Sequence, residues 1–239
     1  MSKIRFGIII MVLVGLVGAV PALAQQDKLT PGEPVGGEVT NEAPEVVYSM
    51  DAPAGSVVAV QLIPDDVTAD YDRPRITLQD VTGAELVTRD GFGRTTLFWQ
   101  VPEDGTYTIV VSRADEMSVG AFTLVPDVLQ VLAPGDLVEG RIESTERQYF
   151  VYEDAANFRL RVTREGGFAP EFSVNQIDTS ITAGSLDRLA YIGGSFMSDG
   201  EFGVVPGGSQ YVLAIEPALL DITFGTAFAD YSLEIVPAE

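Results

Sequence analysis

The chain contains two copies of one sequence pattern, and this duplication constrains its fold more than any other feature. The segment that begins Leu29-Thr-Pro-Gly32 recurs about 100 residues later as Leu132-Ala-Pro-Gly135. Three further segments recur in the same order at a nearly constant offset, including those that end at Tyr107 and Tyr211. A constant offset over several segments is typical of a repeated structural unit. The sequence therefore predicts three parts: residues 1–24 as a signal peptide, 25–126 as a first domain and 127–239 as a second.

Each copy shows a two-residue hydrophobic period, which is typical of strands with one face buried. Phe158, Leu160 and Val162 alternate with polar residues, and Tyr107, Ile109 and Val111 do the same in the other copy. Glycine- and proline-rich turn signals separate these runs, and a helical period is absent after the N-terminal segment. Short strands with regular turns predict an all-β chain of two tandem antiparallel β-sandwiches, each with seven or eight strands.

The N-terminus has the pattern of a secretory signal peptide. Lys3 and Arg5 precede an apolar and glycine run over 7–20, and Ala22-x-Ala24 follows as a cleavage pattern before Gln25. An uncleaved anchor or a buried helix is the alternative, although the run is short for a membrane span. We expect a secreted or periplasmic protein with no membrane span after cleavage.

Composition excludes several classes of function. The chain has 35 acidic and 14 basic side chains, a formal net charge of −21, and neither histidine nor cysteine. A Ser-His-Asp or Cys-His centre, a Cys/His zinc site and a disulfide framework are therefore impossible. Such a negative charge also repels nucleic-acid phosphates. We expect no catalytic residues and no cofactor, with calcium as the open alternative.

The motifs of the first copy resemble those of the bacterial pre-peptidase C-terminal domain. They comprise Leu-x-Pro-Gly32, the run Pro74-x-Ile-x-Leu-x-Asp80, and Trp99-x-Val-Pro-Glu-Asp-Gly-Thr-Tyr107. The resemblance covers most of 28–126 and is looser over 127–237. It implies a jelly-roll-like β-sandwich, of a kind that accompanies secreted peptidases and serves secretion, localisation or polymer binding.

Three groups of residues are candidates for a site. Asp65, Asp66, Asp70 and Asp72 form a dense acidic loop that could hold calcium, or could simply be solvated. Trp99 is the only tryptophan and is a core residue or a sugar-stacking platform, while Phe98 points to the opposite face as a surface residue or a contact with the other domain. The third group is Arg159 and Arg161 on one outward strand face, with Arg147 expected on an adjacent strand. These arginines could grip an anion or pair with acidic residues across strands.

Together these observations predict a non-catalytic secreted or periplasmic binding or accessory module. It would act through sandwich loops or sheet faces on a protein, polysaccharide or envelope partner, with no nucleic acid among its partners. The alternative is a hydrolase of unrecognised type, or an accessory subunit of a secreted peptidase. Paired carboxylates are abundant enough to keep a glycosidase open. The sequence identifies neither the ligand nor the oligomeric state.

Overall fold

The fold is described from a computed structural model of the chain. The described residues are 27–65, 73–115, 118–143, 146–166, 170–177, 186–192, 199–201, 204–217 and 228–238. Every regular element within these ranges is a β-strand, which confirms the predicted all-β class. No helix in this part of the chain is long and apolar enough to cross a bilayer. The predicted signal peptide over 1–24 lies outside the described residues.

The first half of the described chain forms two sheets. Its strands are β1 (Asp27–Lys28), β2 (Val35–Val39), β3 (Glu45–Ala52), β4 (Val57–Pro64), β5 (Pro74–Gln79), β6 (Glu85–Asp90), β7 (Thr95–Gln100), β8 (Gly105–Arg113) and β9 (Gly120–Val128). Sheet I has the order β1-β3-β8-β5-β6, and sheet II has the order β2-β9-β4-β7. One buried cluster contains residues of both sheets, so that sheets I and II pack as a sandwich.

The second half repeats this arrangement. Its strands are β10 (Val131–Leu132), β11 (Leu137–Glu143), β12 (Gln148–Asp154), β13 (Phe158–Gly166), β14 (Pro170–Ile177), β15 (Leu186–Ile192), β16 (Asp199–Glu201), β17 (Ser209–Pro217) and β18 (Phe228–Pro237). Sheet III has the order β10-β12-β17-β14-β15, and sheet IV has the order β11-β18-β13-β16. Each strand of the second half has the same place in its sheet as the corresponding strand of the first half. A second buried cluster joins sheets III and IV.

The two halves also match at single residues. Tyr107 is the third residue of β8, and Tyr211 is the third residue of β17. The Tyr107 hydroxyl donates a hydrogen bond to the Glu103 carbonyl at 2.8 Å, and the Tyr211 hydroxyl donates one to the Pro206 carbonyl at 2.7 Å. In both places a buried tyrosine therefore ties its strand to the turn that precedes it.

The strand count differs from the seven or eight per copy predicted from the sequence. The described residues contain nine strands in each half, because the two-residue strands β1 and β10 add to the edges of sheets I and III. Both short strands pair in parallel, β1 with β3 and β10 with β12, so the sandwiches are not wholly antiparallel. Two-residue strands are too short to show a period, which is why alternation did not reveal them.

The two sandwiches pack against each other through sheets II and III. A third buried cluster joins Val57 and Ala59 of β4 and Phe98 of β7 to residues of sheet III, which are Tyr149, Val151, Val212 and Ala214, with Leu129 between the halves. The four sheets therefore stack in the order I, II, III, IV. Strand β4 is consequently buried on both faces, since Val58, Val60 and Leu62 point into the first sandwich. Its continuous apolar sequence Val-Val-Ala-Val suits a strand covered on both sides.

Candidate functional site

A cleft of about 380 Å³ opens where sheets II and III meet. One wall comes from the β6–β7 connection and the start of β7, and the other comes from β12, β14 and β17 of the second half. The lining residues are Arg89, Asp90, Gly91, Phe92, Arg94, Thr95, Thr96, Phe98, Arg147, Tyr149, Ser173, Asn175, Ala214 and Glu216. This volume lies at the lower end of the range of about 300–1,000 Å³ that small-molecule sites occupy.

Positive charge is concentrated in this cleft although the chain as a whole is strongly acidic. Three of its 14 lysines and arginines, Arg89, Arg94 and Arg147, line the cleft. Two carboxylates, those of Asp90 and Glu216, line it as well. The Arg73 guanidinium contacts Asp90 at 3.3 Å, and the Arg147 Nε contacts Glu216 at 3.6 Å. Both acids of the cleft are therefore already engaged by a guanidinium.

Arg94 has no ion-pair partner within the part of the chain that the structure describes. Among the described residues, none makes an ion pair or a hydrogen bond with its half-buried side chain. Burial lowers the pKa of the Arg94 guanidinium, and the neighbouring Arg147 charge lowers it further, while nearby acidic groups partly oppose the shift. An arginine remains protonated despite such a shift, so the cleft contains a partly desolvated positive charge that no described carboxylate contacts directly.

A buried tyrosine and an acid form the floor of the cleft next to Arg147. The Tyr149 hydroxyl donates a hydrogen bond to Glu216 Oε1 at 3.3 Å, and its ring meets Phe98 edge-on with centroids 5.0 Å apart. Burial raises the pKa of Tyr149 to about 12, and the adjacent Glu216 charge contributes to the rise. Tyr149 is therefore a neutral hydrogen-bonding group at physiological pH, and it cannot act as a base there.

Uncharged polar groups interrupt the apolar interface at this place. Ser173 and Asn175 of β14 are buried on the face that meets sheet II, and Asn175 Nδ2 donates to Ser173 Oγ at 2.9 Å and to the Val212 carbonyl at 3.1 Å. Across the cleft, the buried Thr96 hydroxyl lies within hydrogen-bonding reach of Tyr149, although its geometry with every described residue is poor. Uncharged polar groups of both sheets therefore meet at this place in the cleft.

An exposed aromatic ring stands at the rim of the cleft. Phe92, in the β6–β7 connection, has 76% of its surface exposed. The Arg73 guanidinium lies 5.1 Å from the centre of its ring, and Arg73 is in turn paired with Asp90. A cation over the ring restrains the Phe92 side chain while leaving most of it accessible. The rim thus offers an ordered aromatic surface beside Arg94.

The structure places the two aromatic candidates on opposite faces of β7, as the alternation predicted. Trp99 packs against the core of the first sandwich, which favours the core interpretation over the sugar-stacking platform. Its indole nitrogen is buried and has no hydrogen-bond partner among the described residues. Phe98 is 4% exposed in the cluster between the halves, so it contacts the other half and is not a scattered surface residue.

The arginine group predicted from the sequence is not one site. Arg159 and Arg161 lie on β13 of sheet IV, whereas Arg147 directly precedes β12 of sheet III. The expectation that Arg147 lies on a strand next to the other two is therefore wrong. Arg161 pairs with Glu234 across β13 and β18 at 2.8 Å, as the cross-strand interpretation predicted. Arg147 belongs instead to the cleft.

The acidic loop falls mostly outside the described residues. Asp66, Asp70 and Asp72 lie in the undescribed stretch between β4 and β5. Asp65 is described, and its carboxylate accepts a hydrogen bond from the Thr123 hydroxyl at 3.2 Å. Within the described ranges no group of three or more acidic residues is arranged to hold a metal ion. The calcium site at Asp65, Asp66, Asp70 and Asp72 stays a prediction.

Sequence reasoning missed the cleft, although a signal for it exists. The face of β14 that points away from its own sandwich core contains Ser173 and Asn175. The same face of β17 contains Val212, Ala214 and Glu216. Polar residues at inward positions next to small apolar ones indicate a face that is covered but contains a polar site. The β6–β7 sequence Arg89-Asp-Gly-Phe-Gly-Arg94 adds two arginines around an exposed aromatic residue.

Comparisons with known proteins give only remote structural similarities. No protein-family model matches the chain, and no curated protein matches it. Among solved structures it is similar to PliG of Aeromonas hydrophila, a periplasmic inhibitor of g-type lysozyme, with 11% identity and a TM-score of 0.32 over 45% of this chain and 96% of that one. It is also similar to the N-terminal CBM22-1-CBM22-2 tandem domain of Paenibacillus barcinonensis Xyn10C, with 8% identity and a TM-score of 0.24 over 80% and 82% of the two chains. A protein of Eubacterium rectale described as secreted gives 10% identity and a TM-score of 0.31 over 86% and 74%.

Proposed function

We propose that this protein is a non-catalytic extracytoplasmic binding module whose binding site is the cleft between sheets II and III. The observation that carries the proposal is Arg94, a half-buried guanidinium with no ion-pair partner among the described residues. A desolvated charge is costly unless an opposite charge approaches it. The ligand therefore carries an anionic group that completes the pairing of Arg94.

Geometry favours a carboxylate or another small oxyanion as this group. A guanidinium has five donors in a planar fork, which match two oxygens of one anion. Arg147 is near enough to lower the pKa of Arg94, so an anion at Arg94 also relieves the repulsion between the two guanidinium groups.

Two sequence properties support the remaining parts of the proposal. The chain has no histidine and no cysteine, so the residues that most often act as general base or activated nucleophile near neutral pH are missing. The N-terminal pattern of Lys3 and Arg5, an apolar run and Ala22-x-Ala24 supports export. A screen against chromogenic peptide, ester and glycoside substrates should accordingly show no turnover above the blank.

Anion binding by purified protein tests the proposal directly. Isothermal titration calorimetry at low ionic strength would use sulfate, phosphate and malonate as probes, because the natural ligand is unidentified. We expect at least one probe to bind the wild type and to lose at least about tenfold in affinity in Arg94→Met, since a charge-assisted pair contributes roughly 1.5–3 kcal/mol. Arg94→Lys keeps the positive charge but lacks the planar guanidinium fork. Its affinity for the probe should therefore lie between those of the wild type and Arg94→Met.

Arg161→Met is the matched control, because it removes one positive charge from the opposite end of the stack. Arg161 is solvent-exposed and paired with Glu234, so its removal changes the net charge equally and leaves the cleft intact. It should bind the probes as the wild type does. The proposal fails if no probe binds the folded wild type, or if both variants lose affinity equally.

A further inference from the structure

The cleft contains more than an anion site. Beside Arg94 it presents the exposed ring of Phe92 and a polar wall of uncharged groups on sheet III, from Tyr149, Ser173 and Asn175, with the Thr96 hydroxyl opposite that wall. A bare sulfate or phosphate would contact the arginine and leave these groups unused. The lining therefore describes a ligand larger than a simple oxyanion.

Building on the proposed function, we infer that the ligand is a single acidic sugar unit, with its carboxylate on Arg94, its ring against Phe92 and its hydroxyls toward the polar wall. A pyranose ring has C–H groups on its faces and hydroxyls around its edge. An aromatic ring can cover the C–H face, while serine, threonine and asparagine side chains can exchange hydrogen bonds with the edge.

Phe92 is suited to such a contact because it is both exposed and restrained. The guanidinium of Arg73 lies over its ring at 5.1 Å, and Asp90 holds that guanidinium at 3.3 Å. Ordering a side chain before binding reduces the entropy that the ligand must offset. Val81 is equally exposed but stands in the β5–β6 turn, and it is not among the residues that line the cleft.

The polar wall is held in place by its own hydrogen bonds. Asn175 Nδ2 is fixed by Ser173 Oγ and by the Val212 carbonyl, and the Tyr149 hydroxyl is fixed by Glu216. The Thr96 hydroxyl opposite them is buried near Tyr149, and among the described residues it has no partner of good geometry. A ligand hydroxyl at this depth can both donate to and accept from the hydroxyls of Thr96 and Ser173, whereas a carboxylate can only accept.

Charge and size limit the ligand to one acidic unit. The net charge of −21 repels a polyanion, and one guanidinium in the cleft lacks a carboxylate among the described residues. The cleft volume of about 380 Å³ accommodates a single sugar ring. The acidic sugar is therefore free, or stands in a glycan that is otherwise neutral.

Calorimetry with four probes distinguishes binding of an acidic sugar from binding of any small anion. The probes are methyl glucuronide, methyl glucoside, acetate and a polygalacturonate oligomer. We expect methyl glucuronide to bind at least about tenfold more tightly than acetate and than each galacturonate unit of the oligomer, and methyl glucoside to give no measurable heat. Phe92→Ala should reduce glucuronide affinity about tenfold while leaving acetate binding unchanged, whereas Arg94→Met should abolish both.

Each remaining outcome decides a different question. Equal affinity for acetate and methyl glucuronide, or a glucuronide affinity unaffected by Phe92→Ala, would overturn the sugar inference and leave anion binding standing. A tripeptide serves as a fifth probe, and its tighter binding through the free terminal carboxylate would replace the sugar with a peptide. Tighter binding of the oligomer per unit would overturn the limit to a single charge. If no anionic probe binds at all, both the inference and the proposed function fail.

Discussion

At the scale of single residues, two glycines show how closely the strands approach inside each sandwich. A Cβ added at Gly37 of β2 would lie 2.5 Å from the Tyr48 hydroxyl and would collide with the Phe122 ring, and both side chains are fully buried. Gly140 occupies the matching place in β11, where an added Cβ would lie 2.7 Å from the Tyr231 hydroxyl. Glycine is needed at both positions because a neighbouring ring occupies the space of a side chain, and not because of backbone conformation.

We therefore expect Gly37→Ala to destabilise the protein by about 1–3 kcal/mol, because buried aromatic rings must shift to admit the methyl group. Gly36→Ala is the matched control in the same strand, since its added Cβ meets only the Phe122 carbonyl oxygen at 3.9 Å. The control should be neutral or slightly stabilising. Urea denaturation of both variants measures the difference, and equal stability of the two would contradict this account.

At the scale of elements, strands β4 and β17 link the two halves. Each strand has one face in its own sandwich core and the other face against the opposite half. Val57 and Ala59 on β4, with Phe98 on neighbouring β7, meet Val212 and Ala214 on β17. The small alanine side chains let the two sheets approach, and the aromatic rings fill the remaining space. The contact between halves is therefore continuous with their cores and is not a flexible joint.

Phe98→Ala tests this interface. Phe98 is 4% exposed and packs edge-on against Tyr149, so its removal should cost about 3 kcal/mol of unfolding free energy. Phe228→Ala removes an equal side chain that is 41% exposed on sheet IV, and it should cost no more than about 1 kcal/mol. Equal losses measured by urea denaturation would show that the contact between halves adds nothing to stability.

The sequence predicted those strands and buried faces that a short-range hydrophobic pattern reveals. Alternation in segments such as Phe158-Arg-Leu-Arg-Val162 predicted strands with one buried face, and the structure confirms them. The cleft could not be predicted in this way, because Arg94 and Asn175 are distant in sequence and meet only through the packing of sheet II on sheet III. Alternation specifies which face is buried, but not which sheet covers the other face.

At the scale of the whole molecule, charge is the dominant feature. With 35 acidic and 14 basic residues, the surface repels itself at neutral pH. We expect sodium chloride between about 0.05 and 0.5 M to raise the melting temperature by a few degrees, because screening weakens this repulsion over distances beyond the Debye length. Differential scanning calorimetry provides the measurement, and a melting temperature that stays constant or falls with salt would contradict the expectation.

The shared burial of sheets II and III has a consequence for biosynthesis. Synthesis produces the first half of the chain before the second, so a first sandwich that folded alone would expose the face containing Val57, Ala59 and Phe98 to water. An exposed apolar surface of this kind attracts other nascent or truncated chains. A fragment ending near Val128 should accordingly self-associate, while the intact chain conceals that surface as soon as its C-terminal strands fold.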